Sequence, residues 1–206
     1  PLPVTLAFDH PTARRLALHL EGLLPEEGPA PQPPRHALAG PVPGDEPVAL
    51  VGLGCRFPGG VESPEGFWQM LLEGRDAITR VPPERWNLEE WYDPDPEAPG
   101  RMSSPFGGFL EDFDAFDATF FGIAPREARQ MDPHQRILLE TAWRALEHAG
   151  IPPGRLEGSA TGVFVGACNS DFAALAREAG EIDPWSGTGA MMSVASGRLA
   201  YVLGLM

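Results

Sequence analysis

Eight prolines fall between Pro25 and Pro47, interleaved with Gly28, Gly40 and Gly44. Proline fixes φ and removes a backbone donor, so neither a helix nor a central strand runs through such a stretch. The segment carries no aromatic residue and no apolar period. It reads as a semi-rigid polyproline-II tether of roughly 70 Å, at about 3.1 Å per residue. The chain is therefore divided into a short front piece, a linker and a larger remainder. The boundaries expected are 1–24, 25–45 and 46–206.

Composition fits that division. Glycine and proline together supply 24 + 24 = 48 of the 206 residues, and the hydrophobic share of 43% still suffices for a core. Fifteen basic against 29 acidic residues leave a formal charge of −14, and every basic residue counted is arginine. Phosphate backbones and anionic lipid surfaces both require clustered cations, so neither nucleic acid nor a membrane surface is an expected partner. No run of eighteen apolar residues is present, so no spanning helix is expected. Two distant cysteines, Cys55 and Cys168, form no CxxC pair and suit a reducing, cytoplasmic setting. The chain opens at Pro1 without an initiator methionine and stops after an apolar helical pattern, and both ends read as cut.

Patterning gives the elements. In the front piece Leu16, Ala17, Leu20, Leu23 and Leu24 share one helical face. Val48 to Gly52 is a short apolar run consistent with a buried strand. Ser63 caps a helix with Pro64 at its first position, an apolar face of Phe67, Trp68, Leu71 and Leu72, and Gly74 as the stop. Val81 to Gly108 is loop-rich, pinned by Trp86, Trp91 and Tyr92. The clearest helix begins at Asp132, with Pro133 first and Gln135 in a variant capping box. Its stripe is Leu138, Ala142, Ala145, Leu146 and Ala149, and Gly150 ends it. Thr161 to Gly166 is a second buried strand. Phe172 to Ala179 and Met191 to Leu203 are helical, the latter packing Val194, Ala195, Leu199 and Val202 inward. Strands alternating with helices define an α/β class.

Several residues invite chemistry. Gly52-Leu53-Gly54 follows a strand as a dinucleotide loop would, but Phe57 stands where the third glycine is needed and Pro58 forbids an immediate helix. Cys168 follows the second strand, where a nucleophile can sit, yet no sequence signal supplies its base. His134 and His148 lie on a well-patterned helix, where packing and surface roles are the ordinary ones. Phe109, Phe113, Phe116 and Phe120 recur at helical spacing between acids, which reads as an apolar stripe with solvated carboxylates opposite rather than a metal site. His10, His19 and His36 form no ligand set. No catalytic, cofactor-binding or metal-binding residue is assigned.

The order of segments resembles a known family. Pro47 to Gly60 (PVALVGLGCRFPGG) is similar to the opening of a ketosynthase domain of a modular type I polyketide synthase. Phe116 to Ala128 (FDATFFGIAPREA) resembles that family's FDAxFFGISPREA segment, and Met131 to Arg136 (MDPHQR) its MDPQQR segment. Thr161 to Gly166 matches its GVFVG strand, and Ser193 to Leu205 its SVASGRLSYxLGL helix. Ala124, His134 and Ala200 depart from the usual Ser, Gln and Ser. Leu2 to Leu24 looks like the last helix of an acyl carrier protein.

The resemblance implies an incomplete thiolase-like fold, layered α/β/α/β/α, preceded by one carrier helix and the linker. It implies an acyltransferase that performs decarboxylative Claisen condensation of a carrier-bound acyl chain with a malonyl-type extender. Implied partners are acyl carrier proteins, the acyltransferase domain of the same megasynthase, a second ketosynthase copy, and acyl and malonyl-type thioesters. The implied cofactor is 4'-phosphopantetheine on a carrier serine upstream of Pro1, with none in residues 1–206. In the family the nucleophilic cysteine sits in a TACSSS elbow and two histidines follow it. Neither Cys55 nor Cys168 aligns with that cysteine, so the resemblance predicts residues 1–206 to be inactive alone. Two other classes are a docking module with an acidic surface, and a nicotinamide oxidoreductase resting on Gly52 and Gly54.

Overall fold

A computed structural model of the chain describes residues 47–168, 171–180 and 183–206. The expected front helix and proline-rich tether lie outside the described residues. Ala49–Met206 make one compact unit, described here by itself.

Helix boundaries follow their capping chemistry. Ser63 Oγ accepts from Gly66 N at 3.1 Å and starts α1, Pro64–Leu72. Gly74, at φ +60, turns the chain out of it. A two-residue antiparallel ladder pairs β1, Thr79–Arg80, with β2, Phe106–Gly107, with α2, Leu88–Trp91, lying between them in sequence. The order continues with α3, Pro125–Arg129, and α4, Pro133–His148. A 3-10 turn at Pro153–Arg155 leads to α5, Phe172–Glu178, α6, Ser186–Ala190, and α7, Val194–Val202.

Helix α4 is the axis of the unit. Asp132 caps it by accepting from His134 N at 2.8 Å, Pro133 occupies its first turn, and Gly150 closes it at φ +66. At 16 residues it spans about 24 Å. Its inner side meets α7, and the core gathers Ile123, Ala128, Met131, Leu139 and Leu199. Met131 and Leu139 are 0% and 2% exposed, and each such burial contributes about 2–3 kcal/mol.

Five expectations need correction. Val48 to Gly52 forms no regular element and has no ladder partner among the described residues, and Val48, Leu50 and Val51 are exposed. Thr161 to Gly166 likewise forms no strand and has no ladder partner among the described residues. Val163 and Val165 pack on the core, while Phe164 between them is 97% exposed. A buried strand needs hydrogen-bonded neighbours on both edges, and the described residues supply only the two-residue β1–β2 ladder.

The phenylalanine run forms no helix: Glu111 to Asp114 and Ala118 to Gly122 are turns, and Asp112 sits at φ +46. Its rings part into two groups. Phe109 meets Trp86 edge-on at 5.9 Å, whereas Phe120 and Phe121 meet Trp143 at 4.7 and 6.1 Å. Gln135 makes no capping box; its amide turns inward to another segment. The apolar face expected on α1 exists in sequence but remains open, with Trp68, Leu71 and Leu72 each more than half exposed. Among the described residues, Phe67 is the one member of that face with a ring partner, Phe57 at 4.8 Å.

Candidate functional site

Three groups of side chains surround α4, and each is built from residues far apart in sequence. The first is where the glycine-rich segment crosses the helix. A Cβ on Gly52 would lie 2.7 Å from Ala149 Cβ and collide with the Ala145 carbonyl. One on Gly54 would lie 3.0 Å from Ala145 N and collide with the Thr141 carbonyl. These glycines are required by the close approach of a helix backbone. What meets them is the latter half of α4, not the helix N-terminus that a dinucleotide pyrophosphate needs. The oxidoreductase reading fails on that geometry.

The same helix holds the segment by a polar stripe at i, i+4 and i+8. Glu140 pairs with Arg56 at 3.4 Å. Arg144 reaches Glu62, at 3.3 Å to its carbonyl and 3.2 Å to its carboxylate. His148 Nδ1 accepts from Leu53 N at 3.2 Å, and its Nε2 lies 3.8 Å from Glu65. Burial pushes the Glu140 carboxyl above its ordinary range, against the pull of Arg56 and Arg144.

The second group clamps the loop after β2. Arg56 donates to the carbonyls of Glu111 at 2.7 Å and Asp112 at 2.9 Å. Arg85 donates to the Leu110 carbonyl and lies over the Phe113 ring at 3.7 Å. Arg136 donates to the Asp114 carbonyl at 3.0 Å. Three arginines thus satisfy the carbonyls of a turn whose Asp112 carries left-handed backbone. Burial lowers the Arg136 guanidinium from its ordinary value, offset by Asp114, Asp132 and Glu140, and its Nε has no hydrogen-bond partner. This loop walls a cavity of about 1000 Å³ whose apolar lining includes Trp86, Trp91, Phe109, Phe113, Phe172 and Leu175.

The third group is a buried polar hub. Gln135, 1% exposed, points its amide nitrogen at the carbonyls of Thr188, Gly189 and Met191, at 3.1, 2.8 and 3.1 Å. Its oxygen accepts from Arg198 Nε at 2.9 Å, and Arg198 also pairs with Glu127. Gly189 lies against Gln130, so closely that a Cβ would come within 2.6 Å of the Gln130 carbonyl carbon. The hub ties α3, α4, α6 and α7 together.

None of this activates a cysteine. Burial and then Glu65 raise the Cys55 thiol above its ordinary value, and Arg144 only partly opposes them. A raised value removes the thiolate that nucleophilic chemistry needs. Cys168 is free and exposed, outside any regular element. His134 is engaged with Asp132 at 2.8 Å, beside the helix cap. Among the described residues no group of three or more His, Cys, Asp or Glu side chains could hold a metal ion. Among them, too, no helix is long and apolar enough to cross a membrane. Motif reading singles out neither Arg198 nor Glu140, and it gives Gln135 a capping role rather than this one. The signal available is register: Gln135 falls four residues before the buried Leu139, on the face of α4 that packs inward.

These features match a known class of domain. A solved ketosynthase domain, OzmH KS7 of oxazolomycin biosynthesis from Streptomyces albus JA3453, superposes with a TM-score of 0.69 at 35% identity, over 76% of this chain and 27% of that one. The ketosynthase from module 6 of the bacillaene synthase of Bacillus subtilis 168 gives 0.62 at 30% identity, over 76% and 24%. The fold is therefore part of the thiolase-like ketosynthase architecture.

By sequence, the profile of the Beta-ketoacyl synthase, N-terminal domain, matches residues 45–206, and the chain belongs to that family. A phenolphthiocerol/phthiocerol polyketide synthase of Mycobacterium bovis is 57% identical over 161 residues, covering 78% of this chain and 9% of the relative. Polyketide synthase GfsB of Streptomyces halstedii is 50% identical over 207 residues, covering 99% of this chain and 4% of the relative. The chain thus spans a tenth or less of these relatives and about a quarter of the ketosynthase structures.

Proposed function

We propose that this chain is part of a modular polyketide synthase, and that its residues 46–206 form the first portion of a ketosynthase performing decarboxylative Claisen condensation. The observation that carries this reading is the family match over residues 45–206, together with relatives that are polyketide synthases at 50% and 57% identity. An acyl chain passes from a carrier thioester to a cysteine thiolate, releasing the carrier thiol. A malonyl-type thioester then loses carbon dioxide, and the resulting carbanion attacks the acyl-enzyme carbonyl and expels the cysteine. That chemistry needs an activated thiolate and an oxyanion hole.

Residues 45–206 supply scaffold rather than nucleophile in this scheme. The raised Cys55 thiol supports that assignment, as does the engagement of His134 and His148 by Asp132 and Leu53. The nucleophilic cysteine, its two histidines and the phosphopantetheine-bearing carrier serine are contributed by other parts of the synthase. Residues 1–24 are assigned as the end of a carrier domain and 25–45 as the tether joining it to the ketosynthase. Carrier domains, an acyltransferase domain and a second ketosynthase copy are the partners this reading requires.

The test is to incubate the 206-residue chain with acyl and malonyl carrier thioesters and follow carrier-bound products by mass spectrometry. No β-ketoacyl product is expected. Turnover by this chain would place the nucleophile among Cys55 and Cys168 and overturn the assignment.

A further inference from the structure

Of the three points where α4 grips the segment from Leu53 to Glu62, two are arginine–carboxylate pairs and one is an imidazole. The imidazole point differs in kind. Leu53 N–H is a donor, so His148 Nδ1 serves it only as an unprotonated acceptor, which places the ring proton of the neutral form on Nε2. Nε2 in turn faces Glu65 on α1 at 3.8 Å.

We propose that His148 makes the hold of α4 on the glycine-rich segment pH-responsive: neutral His148 clasps Leu53, and protonated His148 releases it and turns to Glu65. On protonation both ring nitrogens become donors, so the Leu53 N–H faces a donor and loses its acceptor. The new positive charge gains the Glu65 carboxylate, and the C-terminal end of α4 also favours it. Imidazole is the side chain whose ordinary titration lies between pH 5 and 8.

The charged surroundings agree with that direction. Glu65 faces the ring from α1. Arg144 is one turn back on α4 and is engaged by Glu62, and neighbouring Glu147 is engaged by Trp143 Nε1 at 3.0 Å. Cys55, on the clasped segment, feels both Glu65 and Arg144 and stays a neutral thiol. The other two grips, Arg56–Glu140 and Arg144–Glu62, do not run through the imidazole. Release is therefore local to Leu53 and its neighbours and leaves α4 packed on its core.

Hydrogen exchange of the full chain tests this, read as protection factors so that the intrinsic pH dependence of exchange cancels. The peptide covering Val51 to Arg56 is expected to lose protection at Leu53 about threefold to tenfold between pH 7.5 and 5.5, the size of one hydrogen bond. His148→Gln, which keeps an acceptor but cannot titrate, should hold its protection across the range, whereas His148→Ala should be unprotected at both ends. Peptides from Leu138 to Ala142 serve as the internal reference and should not change. Equal pH dependence in wild type and His148→Gln, or flat protection in wild type, would overturn the proposal. So would a loss shared by the reference peptides, which would mark global opening instead.

Discussion

Arg198 Nε donates to Gln135 Oε1 at 2.9 Å, a polar contact added to the apolar packing of α7 on α4. It also decides which way the Gln135 amide faces. With its oxygen taken by Arg198, the nitrogen is left to serve the Thr188, Gly189 and Met191 carbonyls. A neutral side chain thereby organises a turn that has no regular ladder to satisfy it. Buried networks of this kind are costly to break, because each partner left behind is desolvated.

Replacing Gln135 with Leu keeps the volume but strands Arg198 Nε and up to three carbonyls. Unsatisfied buried groups cost about 1–3 kcal/mol each, with partial relief from relaxation. We expect Gln135→Leu to lose about 3 kcal/mol in urea unfolding, seen as a lower midpoint at unchanged slope. A loss within about 0.5 kcal/mol of wild type, the scatter of ordinary surface substitutions, would show that the hub does not bear on stability.

Glycines that allow close approach should differ from those that only turn the chain. Gly52→Ala and Gly189→Ala each place a methyl group against helix or loop backbone that cannot retreat. Gly150 has open space around its missing Cβ and carries only its positive φ. Gly150→Ala should therefore cost about 1 kcal/mol, and the first two about 2–3 kcal/mol or more. Melting temperatures of the three variants give the ranking directly.

The helices were largely legible in the sequence, because each carries its own punctuation. Ser63-Pro64 and Gly74, and Asp132-Pro133 and Gly150, bracket helices as capping chemistry requires. The strands were not, since an apolar run such as Val48 to Gly52 specifies burial but not the neighbour that pairs with it. The phenylalanine spacing misled for a related reason. Arg56, Arg85 and Arg136 hold the Leu110 to Asp114 carbonyls in a turn, and those long-range donors leave no trace in local periodicity. Gln135 reads as a cap residue because its partners lie more than fifty residues away.

Glu140 should leave a pH signature. Its folded carboxyl titrates above the ordinary value of 4.5, so it favours the protonated form on folding. Its stabilising contribution is fully present below that ordinary value and is lost as pH rises through the raised folded value. Glu140→Gln removes this dependence. The stability of Glu140→Gln relative to wild type should therefore rise as pH increases from about 4.5 through the folded value. Parallel unfolding curves at several pH values check the sign, and a constant difference would refute it.

The two cysteines should react unequally. Cys168 is exposed, whereas Cys55 is half-buried with a raised thiol. Alkylation with iodoacetamide at neutral pH, followed by peptide mass spectrometry, should modify Cys168 first. Faster labelling of Cys55 would mean that Arg144 outweighs burial and Glu65.

The most direct test uses a full-length polyketide synthase of the kind proposed, with residues 1–206 in place. Supplied with an acyl carrier thioester and a malonyl carrier thioester, it should release carbon dioxide and form a β-ketoacyl thioester in equal amounts. Cys55→Ala and Cys168→Ala should each retain that condensation. Loss of condensation in either variant, with folding intact, would put the nucleophile within residues 45–206 and contradict the assignment of this region as scaffold.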